Sequence, residues 1–202
     1  MRKQLLIATR NQGKVEELSV LLKGINVQCL SLDEVLPDLE VAETGESFRE
    51  NAIIKAEAYA DASGLLTIAD DSGLEVDALG GKPGVRTARY GGADLTPKER
   101  YELLLEALVD VPWEMRTARF RCVVAVARPH TLLGTSDGVC EGLIALSPRG
   151  ENGFGYDPVF LLPDRDLTMA ELDADQKHFI SHRGNAIKQI LPFLEQLIVD
   201  EP

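Results

Sequence analysis

Leu65-Leu66-Thr67-Ile68-Ala69-Asp70-Asp71-Ser72-Gly73-Leu74-Glu75-Val76 is the stretch on which the reading of this 202-residue chain turns. An apolar run of strand character stops at two adjacent carboxylates, a hydroxyl and a glycine. Open α/β sheets bind ligands just outside the carboxyl ends of their strands, so an acid pair at such an end predicts a polar site. The glycines beyond it, Gly80-Gly81 and Gly91-Gly92 among them, let the main chain turn sharply and let a ligand approach it. The expectation is the floor of a metal-dependent site for phosphate chemistry.

Outward from this stretch, Leu5-Leu6-Ile7-Ala8 reads as a buried strand and Thr9 to Lys14 as the turn leaving it. Val15, Leu18, Leu21 and Leu22 then repeat at helical spacing, with Glu16 and Glu17 expected in the first turn. Strand, glycine-containing turn and helix together aim backbone N–H groups at an anion, although the turn carries neither dinucleotide nor P-loop spacing. Residues 25–32 read as a second strand. Ser47-Phe48-Arg49-Glu50 has the form of a capping box, opening an alanine-rich helix that ends at Gly64. Thr96-Pro97-Lys98-Glu99 opens another, with Leu103, Leu104, Ala107 and Leu108 on its inner side.

Ala118 to Val126 alternates at period two, turns at Arg128-Pro129-His130 and returns through residues 131–138 as a hairpin. Residues 150–157 form a glycine-punctuated loop with two aromatics, followed by a strand at Val159-Phe160-Leu161-Leu162. A final helix starts after Ser181, and Pro192 is expected to kink it. No repeat or long linker divides the chain, so residues 1–202 read as one domain. Its class is α/β, with a sheet of mixed strand directions flanked by helices.

Net charge is −12, from 33 acidic and 21 basic residues, which disfavours nucleic acid and anionic membranes as partners. Polyanions must then be held by a local group of cations. Arg119 and Arg121 on the alternating strand therefore read as an ion-paired sheet face. Cys29, Cys122 and Cys140 have no metal or disulfide spacing, and no segment reads as a signal peptide or a membrane span. A reducing cytoplasm is the expected compartment.

Phosphate transfer needs a hard cation, carboxylates to hold it, cations for the phosphate oxygens and an oriented nucleophile. Magnesium is usually held by one or two carboxylates and takes its other ligands from water and phosphate. Glu43, Asp70 and Asp71 are the candidates, with Asp71 favoured as ligand and Asp70 as a capping or supporting group. The available cations are scattered: Lys14, Lys55, Lys177, His182 and Arg183. On its own Lys55 reads as a solvated helix lysine. Phe154 and Tyr156 offer faces for a flat heterocycle, and Tyr156 reads equally well as a core aromatic.

Six motifs taken together resemble the inosine/xanthosine triphosphate pyrophosphatase family, the house-cleaning enzymes for non-standard purine nucleotides. They are A-T-R-N-x-G-K (Ala8 to Lys14), E-T-G-x-S-F-x-E-N-A (Glu43 to Ala52) and A-D-D-S-G-L-x-V-D-A-L (Ala69 to Leu79). The series continues with G-x-P-G-V-x-x-A-R-Y (Gly81 to Tyr90), G-F-G-Y-D-P-V-F (Gly153 to Phe160) and S-H-R-G (Ser181 to Gly184). The resemblance spans Leu6 to about Gln189 and implies two lobes with a central cleft, Mg2+ dependence and a homodimer. It implies that ITP, dITP and XTP are cleaved to the monophosphate and pyrophosphate, which keeps them out of DNA and RNA.

By the same resemblance, Asp71 is the proton acceptor and a metal ligand, with Glu43 near the metal. Thr9, Arg10, Asn11, Gln12, Gly13 and Lys14 hold the triphosphate with Ser72 and Lys55. Phe154, Gly155, Tyr156, Asp157, Lys177, His182 and Arg183 hold the base. Metal-acidified water remains an alternative to Asp71 as the main source of activation. A pyrophosphatase for modified pyrimidines and a non-hydrolysing nucleotide sensor are the rival readings.

Overall fold

Leu5, Leu6 and Ile7 are fully buried, as a strand with covered faces requires. In the computed structural model, which describes residues 3–200, they lie in β1 (Lys3–Ile7). The other strands are β2 (Val27–Ser31), β3 (Leu66–Val76), β4 (Thr117–Arg128), β5 (Thr131–Ile144), β6 (Phe160–Leu162) and β7 (Leu167–Thr168). Among the described residues they form one seven-stranded sheet in the order β2-β1-β3-β4-β5-β6-β7. The β1 strand pairs in parallel with β2 and β3, whereas β5/β6 and β6/β7 are antiparallel, so the sheet is mixed as expected. Helices are α1 (Gln12–Leu21), α2 (Leu32–Val35), α3 (Phe48–Ser63), α4 (Pro97–Ala107), α5 (Ala174–Ile180) and α6 (His182–Asp200).

The chain divides into two compact units. Residues 3–71, 122–138 and 183–200 make the first, whose core joins Leu5, Ile7, Leu18, Ile68, Val124 and Ile187. Residues 72–121 and 139–182 make the second, built around Leu74, Leu104, Phe120, Ile144, Phe160 and Met169. Cys122 and Cys140 are buried in these cores as small apolar residues. Arg119 is paired with Asp77 and Glu141, and Arg121 with Glu75, which accounts for these two arginines of β4 without a nucleic acid.

Local chemistry corrects several expectations. The β3 strand does not stop at the acids but runs through Asp70 and Asp71 to Val76, because both carboxylates find partners while remaining on the strand. Asp70 accordingly caps no helix. Helix α1 starts at Gln12, since the Asn11 side chain accepts the Lys14 N–H and caps it there. Glu16 and Glu17 therefore fall beyond the first turn. Ser47 caps α3, but Glu50 answers the N–H of Glu46 instead of closing the box on Ser47. Ala107 is exposed and Leu103 half-buried; the buried residues of α4 are Arg100 and Leu104, with Leu108 just beyond its end and Tyr101 and Leu105 packed beside them. Helix α5, absent from the sequence reading, is opened by a capping box of Asp173 and Gln176.

Close approach also fixes Gly142 on β5. A Cβ there would lie 2.5 Å from the Leu161 carbonyl oxygen and 2.6 Å from Phe160 Cζ, and the first of these is backbone that cannot rotate away. Gly142→Ala should cost about 1–3 kcal/mol by overpacking. At roughly 2–4 °C per kcal/mol for a chain this size, a thermal melt should show the loss. An unchanged midpoint would mean that β5 and β6 separate at no cost.

Candidate active site

The register of the sheet brings the first pieces together. Ile7 pairs with Ile68, so two residues further on Thr9 leaves β1 at the level of Asp70. Successive side chains on a strand point to opposite faces, and Asp70 and Asp71 accordingly have different partners. Asp70 is 0% exposed, and its Oδ2 accepts from Arg183 Nη2 at 2.9 Å and Nε at 3.2 Å, with Lys14 Nζ at 3.0 Å. The same guanidinium donates through Nη1 to buried Glu17. Burial alone would raise the Asp70 carboxyl, but Lys14, Arg183 and Lys55 outweigh it and hold the group far below the usual carboxylate range.

Asp71 accepts from Lys55 Nζ at Oδ1 and from Asn51 Nδ2 at Oδ2, each at 3.2 Å. Its carboxyl is pushed above the ordinary value by burial, with the charges of Glu43 and Asp70 adding to it, against Lys55 and Lys14. Burial would lower Lys55, but Asp71, Asp70 and Glu43 more than reverse that and keep its ammonium charged. Lys55 is thus a buried, paired cation and not the solvated lysine that its helix position implied. Neighbouring acids whose environments drive their proton affinities apart are suited to different roles.

Lys55 Nζ also donates to Glu43 Oε1 at 2.7 Å, so the Glu43 and Asp71 carboxylates converge on one ammonium. This all-oxygen pair suits a hard cation such as Mg2+. Among the described residues no three or more His, Cys, Asp or Glu form a group fit to cage a metal. A cation held here would complete its shell with other oxygens, those of water and phosphate among them.

The N-terminus of α1 presents the Thr9–Lys14 segment. Thr9 Oγ1 accepts the Asn11 N–H at 3.2 Å, and Gln12 Nε2 donates to Glu16. The Arg10 guanidinium is taken up by Asp33 and by the carbonyls of Leu36, Pro37 and Leu39 at 2.6–2.9 Å. What this residue can offer a phosphate is its backbone N–H.

In the second unit, Asp157 Oδ2 accepts the Phe154 N–H at 2.8 Å and Lys177 Nζ at 2.6 Å, and that ammonium lies 4.6 Å from the centre of the Phe154 ring. Gly153 has φ of 75°, and a Cβ on it would lie 2.1 Å from Asp157 Oδ2, so the loop closes on this pair only with glycine there. Tyr156 is 3% exposed, donates to the Thr87 carbonyl and packs in the apolar cluster of the second unit. His182 stacks on Phe120 at 4.8 Å. Ser72 is half-buried on β3, and Gly155 has φ of 64°.

Glu17 and Asn51 were not among the expected residues. Asn51 precedes Lys55 by four positions on α3, a spacing that puts a lone amide and a lysine on one helix face and could have marked both. Glu17 had only its place within an apolar helix face to mark it. Removing Arg183 leaves Asp70 and Glu17 buried with fewer cations, and breaking such a pair costs about 3–5 kcal/mol. Arg183→Met should therefore lower the thermal midpoint clearly, and a midpoint equal to wild type would contradict the cluster's role.

The Ham1 family pattern matches residues 5–193. The chain is 48% identical over 198 residues to a dITP/XTP pyrophosphatase of Desulforamulus reducens, covering 98% of each sequence. It is 49% identical over 193 residues to the dITP/XTP pyrophosphatase of Bacillus subtilis, covering 96% of this chain and 98% of that one. Among solved structures, the Staphylococcus aureus Ham1 protein superposes with a TM-score of 0.86 at 44% identity, covering 96% of this chain and 100% of the other. A HAM1 protein from Coxiella burnetii gives 0.87 at 41%, covering 96% and 99%. With its sequence matched almost from end to end and its fold shared, the chain belongs to the Ham1 family.

Proposed function

We propose that the protein is a Mg2+-dependent pyrophosphatase that converts ITP, dITP and XTP to the monophosphate and pyrophosphate. The observation that carries the reading is the pair of adjacent buried acids. Asp70 is taken up by Lys14 and Arg183, whereas Asp71 converges with Glu43 on Lys55. The names carried by close relatives, dITP/XTP pyrophosphatase, point to the same reaction.

Water attacking the α-phosphorus must be oriented and must lose a proton. In this reading Asp71 orients it and accepts that proton. A bound Mg2+, held by Glu43 and Asp71, would supply Lewis acidity and lower the pKa of its water. Lys55 and Lys14 neutralise charge on the triphosphate, and the N–H groups at the start of α1 add anion-binding dipoles. Only groups that meet charge developing in the transition state speed the reaction, and a preformed arrangement of this kind needs little reorganisation.

Base recognition falls to Phe154, Asp157, Lys177 and His182. Phe154 offers a face for stacking, and Lys177 and His182 offer N–H donors. Hypoxanthine and xanthine present an oxygen at position 6 where adenine presents an amino donor, so a buried donor opposite that position rejects adenine. Arg183 keeps Asp70 and Glu17 as partners, and any contact with the base comes in addition to them. The three unpaired cysteines favour a reducing compartment, and we carry the cytoplasm and a homodimer as part of the proposal.

Asp71→Asn keeps the shape of the side chain and removes the proton acceptor. Its turnover of dITP should fall by about 10²–10⁴ while nucleotide affinity persists, measured by pyrophosphate release and calorimetry. Near wild-type turnover removes Asp71 from the mechanism. With a panel of purine and pyrimidine triphosphates, Mg2+ present and absent, Lys177→Ala should lower kcat/KM for dITP and narrow its preference over dATP. An unchanged profile takes Lys177 out of base recognition.

A further inference from the structure

Asn51 is 1% exposed and makes one bond on each side of its amide. Its Oδ1 accepts the N–H of Gly45 at 2.8 Å. A backbone N–H can only donate, so this contact fixes which way the amide faces and leaves Nδ2 as the donor. That donor meets Asp71 Oδ2 at 3.2 Å, while Lys55 holds Oδ1, so both oxygens of Asp71 are tied to α3. Gly45 lies two residues beyond Glu43 on the same segment. A Cβ at Gly45 would fall 2.8 Å from Asn51 Oδ1 and 2.6 Å from Glu50 Cβ, so the segment sits directly on the amide with no space to spare.

We propose that Asn51 is a positioning residue that fixes Glu43 and Asp71 relative to each other, one buried amide serving both carboxylates. The proposal rests on the reading of that pair as the cation-holding, hydrolytic end of the site. Groups that orient metal-binding carboxylates set the distance between ligands, and losing one typically costs 10–100-fold in metal affinity or activity. Asn51 reaches Asp71 directly and Glu43 through the backbone at Gly45. Gly45 itself touches no reacting group.

Three variants test this: Asn51→Ala, which loses both bonds; Gly45→Ala, which pushes the segment off the amide; and Asn51→Asp, which keeps an acceptor for Gly45 but turns an oxygen toward Asp71. Mn2+ affinity without nucleotide is measured by calorimetry, kcat and KM with dITP, and folding by thermal melt. Asn51→Ala and Gly45→Ala are expected to weaken Mn2+ and lower kcat by about 10–100-fold, with KM moving much less. Asn51→Asp is expected to lower kcat at least as far as Asn51→Ala. Were Asn51 only a seat for the segment, Asn51→Asp would keep wild-type kcat, and that result overturns the proposal. Unchanged Mn2+ affinity in Asn51→Ala overturns it too, whatever the turnover. A wild-type chain that binds Mn2+ but leaves dITP intact overturns the hydrolytic reading instead, and the Mn2+ titrations alone then decide for or against Asn51.

Discussion

Two adjacent carboxylates on one buried strand set the terms for everything around them. A carboxylate buried without a partner is among the costliest groups a fold can hold. Asp70 and Asp71 face opposite ways and take different direct partners, while Lys14 and Lys55 act on both at longer range. Asp70 draws Lys14 from the start of α1 and Arg183 from the start of α6, and Arg183 brings Glu17 with it. Asp71 draws Lys55 and Asn51 from one face of α3, and Lys55 brings Glu43. Helices α1, α3 and α6 of the first unit are thus tied to the strand by charge as well as by their apolar faces.

The pairing also divides the chemistry. Two strong cations on Asp70 make it a permanent anion, useful for holding Lys14 in place and unsuited to exchanging protons. Asp71 has one directly bonded cation, shared with Glu43, and a neutral amide, and burial raises its proton affinity. A net charge of −12 makes such local arrangement of cations necessary for any polyanionic substrate. In the second unit the same economy recurs on a smaller scale, where Lys177 serves both Asp157 and the face of Phe154.

What could be read from the sequence was what depends on neighbours along the chain. Alternation gave β4, the S-x-x-E and T-P-x-E patterns gave the starts of α3 and α4, and Gly64 gave the end of α3. Lys14, Lys55, Asp71 and Glu43 came into view as types of residue suited to phosphate chemistry. Their connections could not, since Arg183 reaches Asp70 across 113 positions and Glu17 across 166. For the same reason β3 was expected to stop at its acids: the groups that let it continue lie far away in sequence. The sequence offers Tyr156 a pocket role with a core role as competitor, and its bond to the Thr87 carbonyl and its apolar surroundings come from residues far away in the chain.

The division of labour between the two acids is tested most directly by locating the cation. Crystals grown with Mn2+ and a non-hydrolysable ITP analogue would show it by anomalous scattering. The expected peak lies at about 2.0–2.3 Å from oxygens of Asp71 and Glu43, with Asp70 still bound to Lys14 and Arg183. A peak on Asp70, or one that Glu43 does not reach, would contradict the assignment of Asp71 as the working carboxylate and Asp70 as its support.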